Sequence, residues 1–183
     1  MVLPIYAYGH PVLKKPAAPV DREFEGLEEL LENMWETMYH ASGVGLAAPQ
    51  IGKSIRIFVV DTIQVSEEGE EEEGIKRVFI NPQKIIETGD EYAYEEGCLS
   101  IPEIRADVHR KEKLKLQYLD ENFEEHTEEF DGVNARVIQH EYDHLEGVLF
   151  VEKIDPLKRN LIRRKLDKIR KGKVKVNYSM RFM

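Results

Sequence analysis

Residues 140–144 read His-Glu-Tyr-Asp-His, and no other stretch constrains the possible folds of this chain so tightly. Two imidazoles four residues apart share a face on an α-helix, one turn above the other, so both can reach one cation. Glu141 leaves the helix at the adjoining edge of that face, where it can touch a metal-bound water without being a ligand. Two ligands and one base are the physical content of the H-E-x-x-H pattern. Two ligands do not complete a site, and the source of a third decides what kind of protein this is.

The rest of the chain supplies a framework for that helix. With 183 residues, one domain spanning 1–183 with a real core is expected. Leu27, Leu30, Leu31, Met34 and Met38 recur at helical spacing. Gly43-Val-Gly-Leu-Ala-Ala-Pro-Gln50 follows, a stretch whose Gly and Pro residues suit irregular backbone. Ile55 to Asp61 reads as a strand, Ile75–Ile80 and Lys84–Thr88 as a pair of strands split at Asn81-Pro82. Leu114, Leu116 and Tyr118 alternate with charged neighbours, as in a half-buried antiparallel strand, and Phe123–Phe130 is its expected partner. The histidine helix should start near Asp131–Asn134 and stop at Gly147. A third helix is signalled by Asp155 as N-cap and Pro156 at its first position, running to about Lys171 before Gly172. Val174, Val176, Tyr178 and Met180 predict a C-terminal strand over about 173–180. The sum is an α+β fold, mostly antiparallel β-sheet around a central metal-binding helix.

Downstream of His144 the usual third ligands are missing. A metzincin-like site needs a histidine where this chain has Phe150. A thermolysin-like site needs a downstream Glu, and none occurs after Glu152. Upstream stands Cys98, the one cysteine, in Glu96-Gly-Cys-Leu-Ser100. It cannot form an intrachain disulfide and reads by default as a small buried hydrophobe. As a thiolate it is also a good ligand for a borderline or soft divalent ion. Gly97 beside it allows close backbone approach.

Taken together, Gly43–Gln50, Glu96–Ser100 and His140–His144 resemble the three ordered motifs of the peptide deformylases of bacterial type. The resemblance implies a hydrolase that removes the N-formyl group from polypeptides starting with formyl-methionine, releasing formate. It further implies that Cys98, His140 and His144 hold a divalent ion, with Glu141 as general base and later acid. Gln50, through its side-chain amide, and Leu99, through its backbone N–H, would face the oxyanion. Gly45 and Gly97 suit backbone pairing with an extended peptide, and Val44, Val133 and Val137 the pocket for the methionine side chain. Arg105 matches a position near the peptide path. Glu96, with Arg110, is expected to orient a ligand histidine from behind. Asp143 reads as a helix-surface or salt-bridge residue, and His10, His40, His109 and His126 as structural or exposed. Softness of the ligand set suits Zn²⁺, whereas the resemblance favours Fe²⁺ in the cell, with Zn²⁺, Ni²⁺ or Co²⁺ as substitutes. The competing readings are a general metallopeptidase, which should show a downstream ligand, and a non-catalytic zinc module, which should show a fourth.

Charge adds a second theme. The net charge is −9, yet Leu157–Lys175 holds ten Lys or Arg residues against one Asp. Leu157, Leu161, Ile162, Leu166 and Ile169 form the expected buried stripe of that third helix. Its basic face is either a solvated surface or a docking site for ribosomal RNA near the nascent-chain exit. Glu67–Glu73 carries six glutamates in a loop-like run. No apolar run is long enough to span a membrane, there is no export signal at the N-terminus, and no DNA partner is expected. A cytoplasmic location follows as the default.

Overall fold

A computed structural model describes residues 1–70 and 73–183. Three helices, α1 (Leu27–His40), α2 (Gly132–Leu145) and α3 (Pro156–Arg170), combine with a five-stranded antiparallel sheet. That sheet runs in the order β2 (Gly45–Ala47), β3 (Ile57–Asp61), β4 (Lys76–Cys98), β5 (Ile101–Leu119), β6 (Glu125–Asp131). β1 (Ile5–Tyr6) and β7 (Met180–Arg181) form a separate parallel pair. The α+β, mostly antiparallel expectation holds.

Helix ends follow local chemistry. Each helix closes with two bonds that satisfy its last carbonyls, as in a Schellman turn. For α2 these are Gly147 N–H to the His144 carbonyl at 3.2 Å and Val148 N–H to that of Asp143 at 2.9 Å. Gly147 has φ +74, and a Cβ there would lie 2.7 Å from the Lys14 carbonyl oxygen, so both conformation and space require glycine. Gly172 ends α3 in the same way, and Asp155 caps its start through Leu157 N–H at 2.8 Å. α1 turns at Ser42, whose φ is 59.

Three expectations change. Ile75–Ile80 and Lys84–Thr88 belong to one strand, β4, 23 residues long. Asn81 takes φ 48 and its side chain pairs both backbone groups of Val20, at 2.9 and 2.7 Å. Asn tolerates this left-handed position, so the site of Asn81-Pro82 is a register shift within the ladder and not a break. The C-terminal strand shrinks to Met180–Arg181. Val174, Val176, Tyr178 and Met180 still alternate in burial with exposed neighbours, so the pattern reports a half-buried extended segment. On α3, Leu166 and Ile169 are buried, but Leu157 and Leu161 are 76% and 81% exposed. They lie in the first two turns, before the helix reaches the core. Of the acidic run, Glu67, Glu68, Glu70 and Glu73 are exposed, and positions 71 and 72 lie outside the described residues. No described helix is long and apolar enough to cross a membrane.

Period-two alternation positions β5. Ile104, Ala106, Val108 and Arg110 all face inward. α2 packs Ala135, Ile138 and Leu145 onto a cluster containing Phe58, Phe79, Leu114 and Leu116. Five of its eight buried residues are polar: Arg136, Gln139, Glu141, Asp143 and His144. A helix buried for stability alone would be apolar there. Phe79 is fully buried with ring centroids of Phe58 and Tyr118 at 4.8 and 4.6 Å. Phe79→Ala is expected to lower unfolding free energy by about 3–5 kcal/mol, read from urea denaturation.

Candidate active site

Three parts of the chain converge on one cleft. α2 presents His140, Glu141 and His144. The end of β4 presents Cys98, where the β4–β5 register shifts between Gly97 and Cys98. The turn after β2 presents Gln50, which is 1% exposed.

Cys98, His140 and His144 each offer a donor atom, all within 4.8 Å of one another. Cys98 Sγ lies 3.4 Å from His144 Nε2. His140 Nδ1 is 2.9 Å from Glu96 Oε1, which leaves its Nε2 as the atom available to the cluster. A half-buried thiol and two imidazoles form a donor set suited to a borderline divalent ion. Glu141 Oε2 beside it is buried with no hydrogen-bond partner among the described residues, which fits a site whose remaining partner is an ion or water. The residues present fit such an ion.

Glu96 is the hub behind His140. Arg110 grips it with two bonds, Nε to Oε2 at 2.7 Å and a terminal nitrogen to Oε1 at 3.0 Å. Arg136 adds a third at 3.0 Å, and Arg110 also donates to Asp143 at 2.8 Å. Burial alone would raise the Glu96 carboxyl, but hydrogen bonds from His140 and Arg110 outweigh it and hold it at about 2. Asp143 is therefore an ion-pair residue as expected, but a buried one (7% exposed) and not a surface group.

The two imidazoles are driven apart. Burial, then His140 and Arg110, push His144 well below its ordinary value, so it stays neutral. Burial opposes charge on His140 too, yet Cys98 and Glu96 raise it well above the ordinary value. Glu141 is pushed up to about 7, by burial first, with His140 and Arg110 opposing and Glu96 reinforcing. A carboxyl poised there can accept and return a proton near neutrality. Gly45 makes room for it: a Cβ at that position would stand 2.6–2.9 Å from the Glu141 carboxyl.

Gln50 is oriented by its surroundings. Its Oε1 accepts from Ala47 N–H at 3.0 Å, so Nε2 must point the other way, to Ser100 Oγ at 3.1 Å and Cys98 Sγ at 3.5 Å. The cleft has a volume of about 920 Å³, and Val44, Gly45, Gly97, Arg105, Val133 and Val137 all line it. Val133 is 40% exposed at its mouth, and Arg105 pairs with Glu95 at 2.9 Å on the surface. Arg110 lies behind Glu96. The other histidines stay outside: His10 caps a short 3₁₀ turn through Val12 N–H, and His126, on β6, bonds Asp120 at 2.7 Å.

The motifs did not reveal Arg136 or Tyr178. Arg136 could have been found from spacing, since it stands four residues before His140 on the same helical face. Tyr178 carries no sequence signal; only folding brings it to the cleft.

A buried glutamate beside a Cys-His-His donor set, open to a cleft, fits the arrangement of a mononuclear metal hydrolase. The sequence pattern of the family described as Polypeptide deformylase matches residues 2–160. A peptide deformylase of Christiangramia forsetii is 54% identical over 189 residues, covering 100% of this chain and 96% of that protein. One from Flavobacterium johnsoniae is 50% identical with the same coverage. Among solved structures, the Legionella pneumophila peptide deformylase superposes with TM-score 0.82 at 39% identity, covering 94% of this chain and 97% of that one. The chain belongs to the polypeptide deformylase family. Its activity is removal of the N-formyl group from newly made polypeptides, in a family that depends on a divalent metal.

Glu96→Gln keeps the shape of the side chain but weakens its grip on His140 and Arg110. Zn²⁺ affinity is expected to fall about 10- to 100-fold, measured by competition with a chromophoric chelator.

Proposed function

We propose that Cys98, His140 and His144 hold the divalent ion, and that Glu141, Gln50 and Leu99 carry out deformylation around it. The observation that supports this most is the convergence of three donor atoms within 4.8 Å on the cleft where Glu141 keeps a buried, unpartnered oxygen. Fe²⁺ is the ion assigned in the cell, from the resemblance of the motifs, and the same donors accept Zn²⁺, Ni²⁺ or Co²⁺. When bound, the ion acts as a Lewis acid that makes a water nucleophilic at neutral pH.

The protein's own residues do the rest. Glu141 takes the proton from the attacking water and returns it to the leaving amine, a role that suits a buried carboxyl facing the cleft. Gln50 Nε2, locked by Ala47 N–H, and the Leu99 N–H stabilise the developing oxyanion, each such donor contributing about 2.7–4 kcal/mol. Gly45 lies on β2, the edge strand of the sheet, and Gly97 at the end of β4, so an extended peptide can add its backbone there. Val44, Val133 and Val137 take the methionine side chain, and Arg105 lies along the chain that follows. Glu96 and Arg110 hold His140 in register. Glu141→Ala should retain metal and lose about 10²–10⁴-fold in formate release from a formyl-Met peptide; equal rates would remove Glu141 from the mechanism.

We also assign the basic helix to the ribosome and the protein to the cytoplasm, where formylated chains are made. A groove of about 1370 Å³ runs along α3, lined by Lys14, Arg159, Arg163, Arg164 and Lys168 among others. Among the described residues, Arg159, Arg163, Arg164 and Lys168 form no ion pair, so their charge is available to phosphates. Leu157 and Leu161 extend the same helix as exposed apolar contacts. Changing Arg163, Arg164 and Lys168 to Glu should abolish co-sedimentation with ribosomes and flatten its salt dependence. Unchanged sedimentation sinks this assignment.

A further inference from the structure

The family pattern ends at residue 160, yet four residues beyond it, Lys175, Val176, Asn177 and Tyr178, line the catalytic cleft. They are brought there by an anchored tail. Gly172, at φ +70, turns the chain out of α3. Val174, Met180 and Phe182 pack against the core cluster that contains Ile101 and Ile104. β7 pairs with β1, with Ile5 N–H to the Ser179 carbonyl and Ala7 N–H to the Arg181 carbonyl, both at 2.9 Å. Tyr178 therefore sits one residue from a fixed backbone bond.

From that anchor the Tyr178 hydroxyl donates to the Leu99 carbonyl at 2.7 Å. The next carbonyl, Ser100, accepts from Tyr8 N–H at 2.9 Å. Two consecutive carbonyls in the connection from β4 to β5 are thus held by the two ends of the chain. The chain between α1 and β2 also packs close on this connection: Leu99 Cδ1 lies 2.7 Å from where a Gly43 Cβ would stand. This connection follows the register shift between Gly97 and Cys98, beyond which a single ladder pair, Cys98 with Ile101, flanks it. It carries three groups the reaction needs in fixed relation: the Cys98 thiol, the Leu99 N–H and Ser100 Oγ, which receives Gln50 Nε2.

We propose that Tyr178 is a positioning residue for deformylation: its hydroxyl, bonded to the Leu99 carbonyl, fixes the segment carrying Cys98 and the Leu99 N–H. This rests on the roles assigned above to Cys98 and Leu99. Tyr178 touches none of the reacting atoms. It acts by setting the Leu99 backbone angles, and so the direction of the N–H aimed at the oxyanion, where misplacement costs rate and not substrate affinity.

Tyr178→Phe keeps the ring and its packing while removing the donor, so it separates positioning from folding. In the full-length metal-loaded enzyme we expect kcat to fall about tenfold, KM for a formyl-Met peptide to stay within about twofold, and Tm to be unchanged. Amide exchange should quicken at Leu99–Ile101 and nowhere else. para-Aminophenylalanine at position 178, which restores an N–H donor, should recover the rate. Wild-type kcat in Tyr178→Phe overturns the proposal, as does exchange rising throughout the protein or no recovery with the amino analogue. Formate release by the wild type is the control: its absence would sink the parent reading, whereas its presence beside a neutral Tyr178→Phe sinks this one alone.

Discussion

The buried charge network centred on Glu96 ties the sheet to the helix and, through His140, the fold to the site. Glu96 lies on β4, Arg110 on β5, and Arg136, His140 and Asp143 on α2; every one of them is buried or nearly so. Two guanidinium groups facing two carboxylates balance the charge. Arg136 also donates to the carbonyls of Val108 and Tyr92, at 2.7 and 2.8 Å. Removing charges from water costs several kcal/mol per ion, and such a network is weak evidence of stability. Its return is geometric: the carboxylate that three elements hold in place is the one that sets the ring of His140. An apolar replacement could pack as well and would leave the imidazole free to rotate.

Around that network the chain separates its tasks. The catalytic cleft is walled by β2, the β4–β5 connection, α2 and the tail, while the basic groove follows α3, and the two share no lining residue. Acidic residues dominate elsewhere, so the positive charge of residues 157–175 is concentrated on one helix and its exit.

Local signals were legible where local chemistry decides the outcome. Asp155-Pro156, Gly147 and Gly172 delimit helices because caps depend on neighbouring backbone groups and on φ. The inward face of β5 follows from alternation, and that alternation carries Arg110 inward as surely as Val108. The spacing of His140 and His144 and the order of the motifs showed which residues to bring together. Errors arose where distant contacts override local preference. Asn81 looked like a strand break, but its side chain pairs with Val20 and the ladder continues. Leu157 and Leu161 had the right period for burial, but the period says only that residues share a face, not that the core extends that far.

By itself the sequence determined the three helices and their ends, the helical pairing of two histidines with Glu141, and the family to which the motifs point. Only the tertiary structure decided how Cys98 reaches those histidines, which carboxylate orients His140, and that Tyr178 closes the loop from the far end of the chain. The physical reason is range. Periodicity and capping act over a few residues, whereas the distance from Leu99 to Tyr178 is 79 positions in sequence and 2.7 Å in space, and only the packing of β1, β7 and the core between them joins the two.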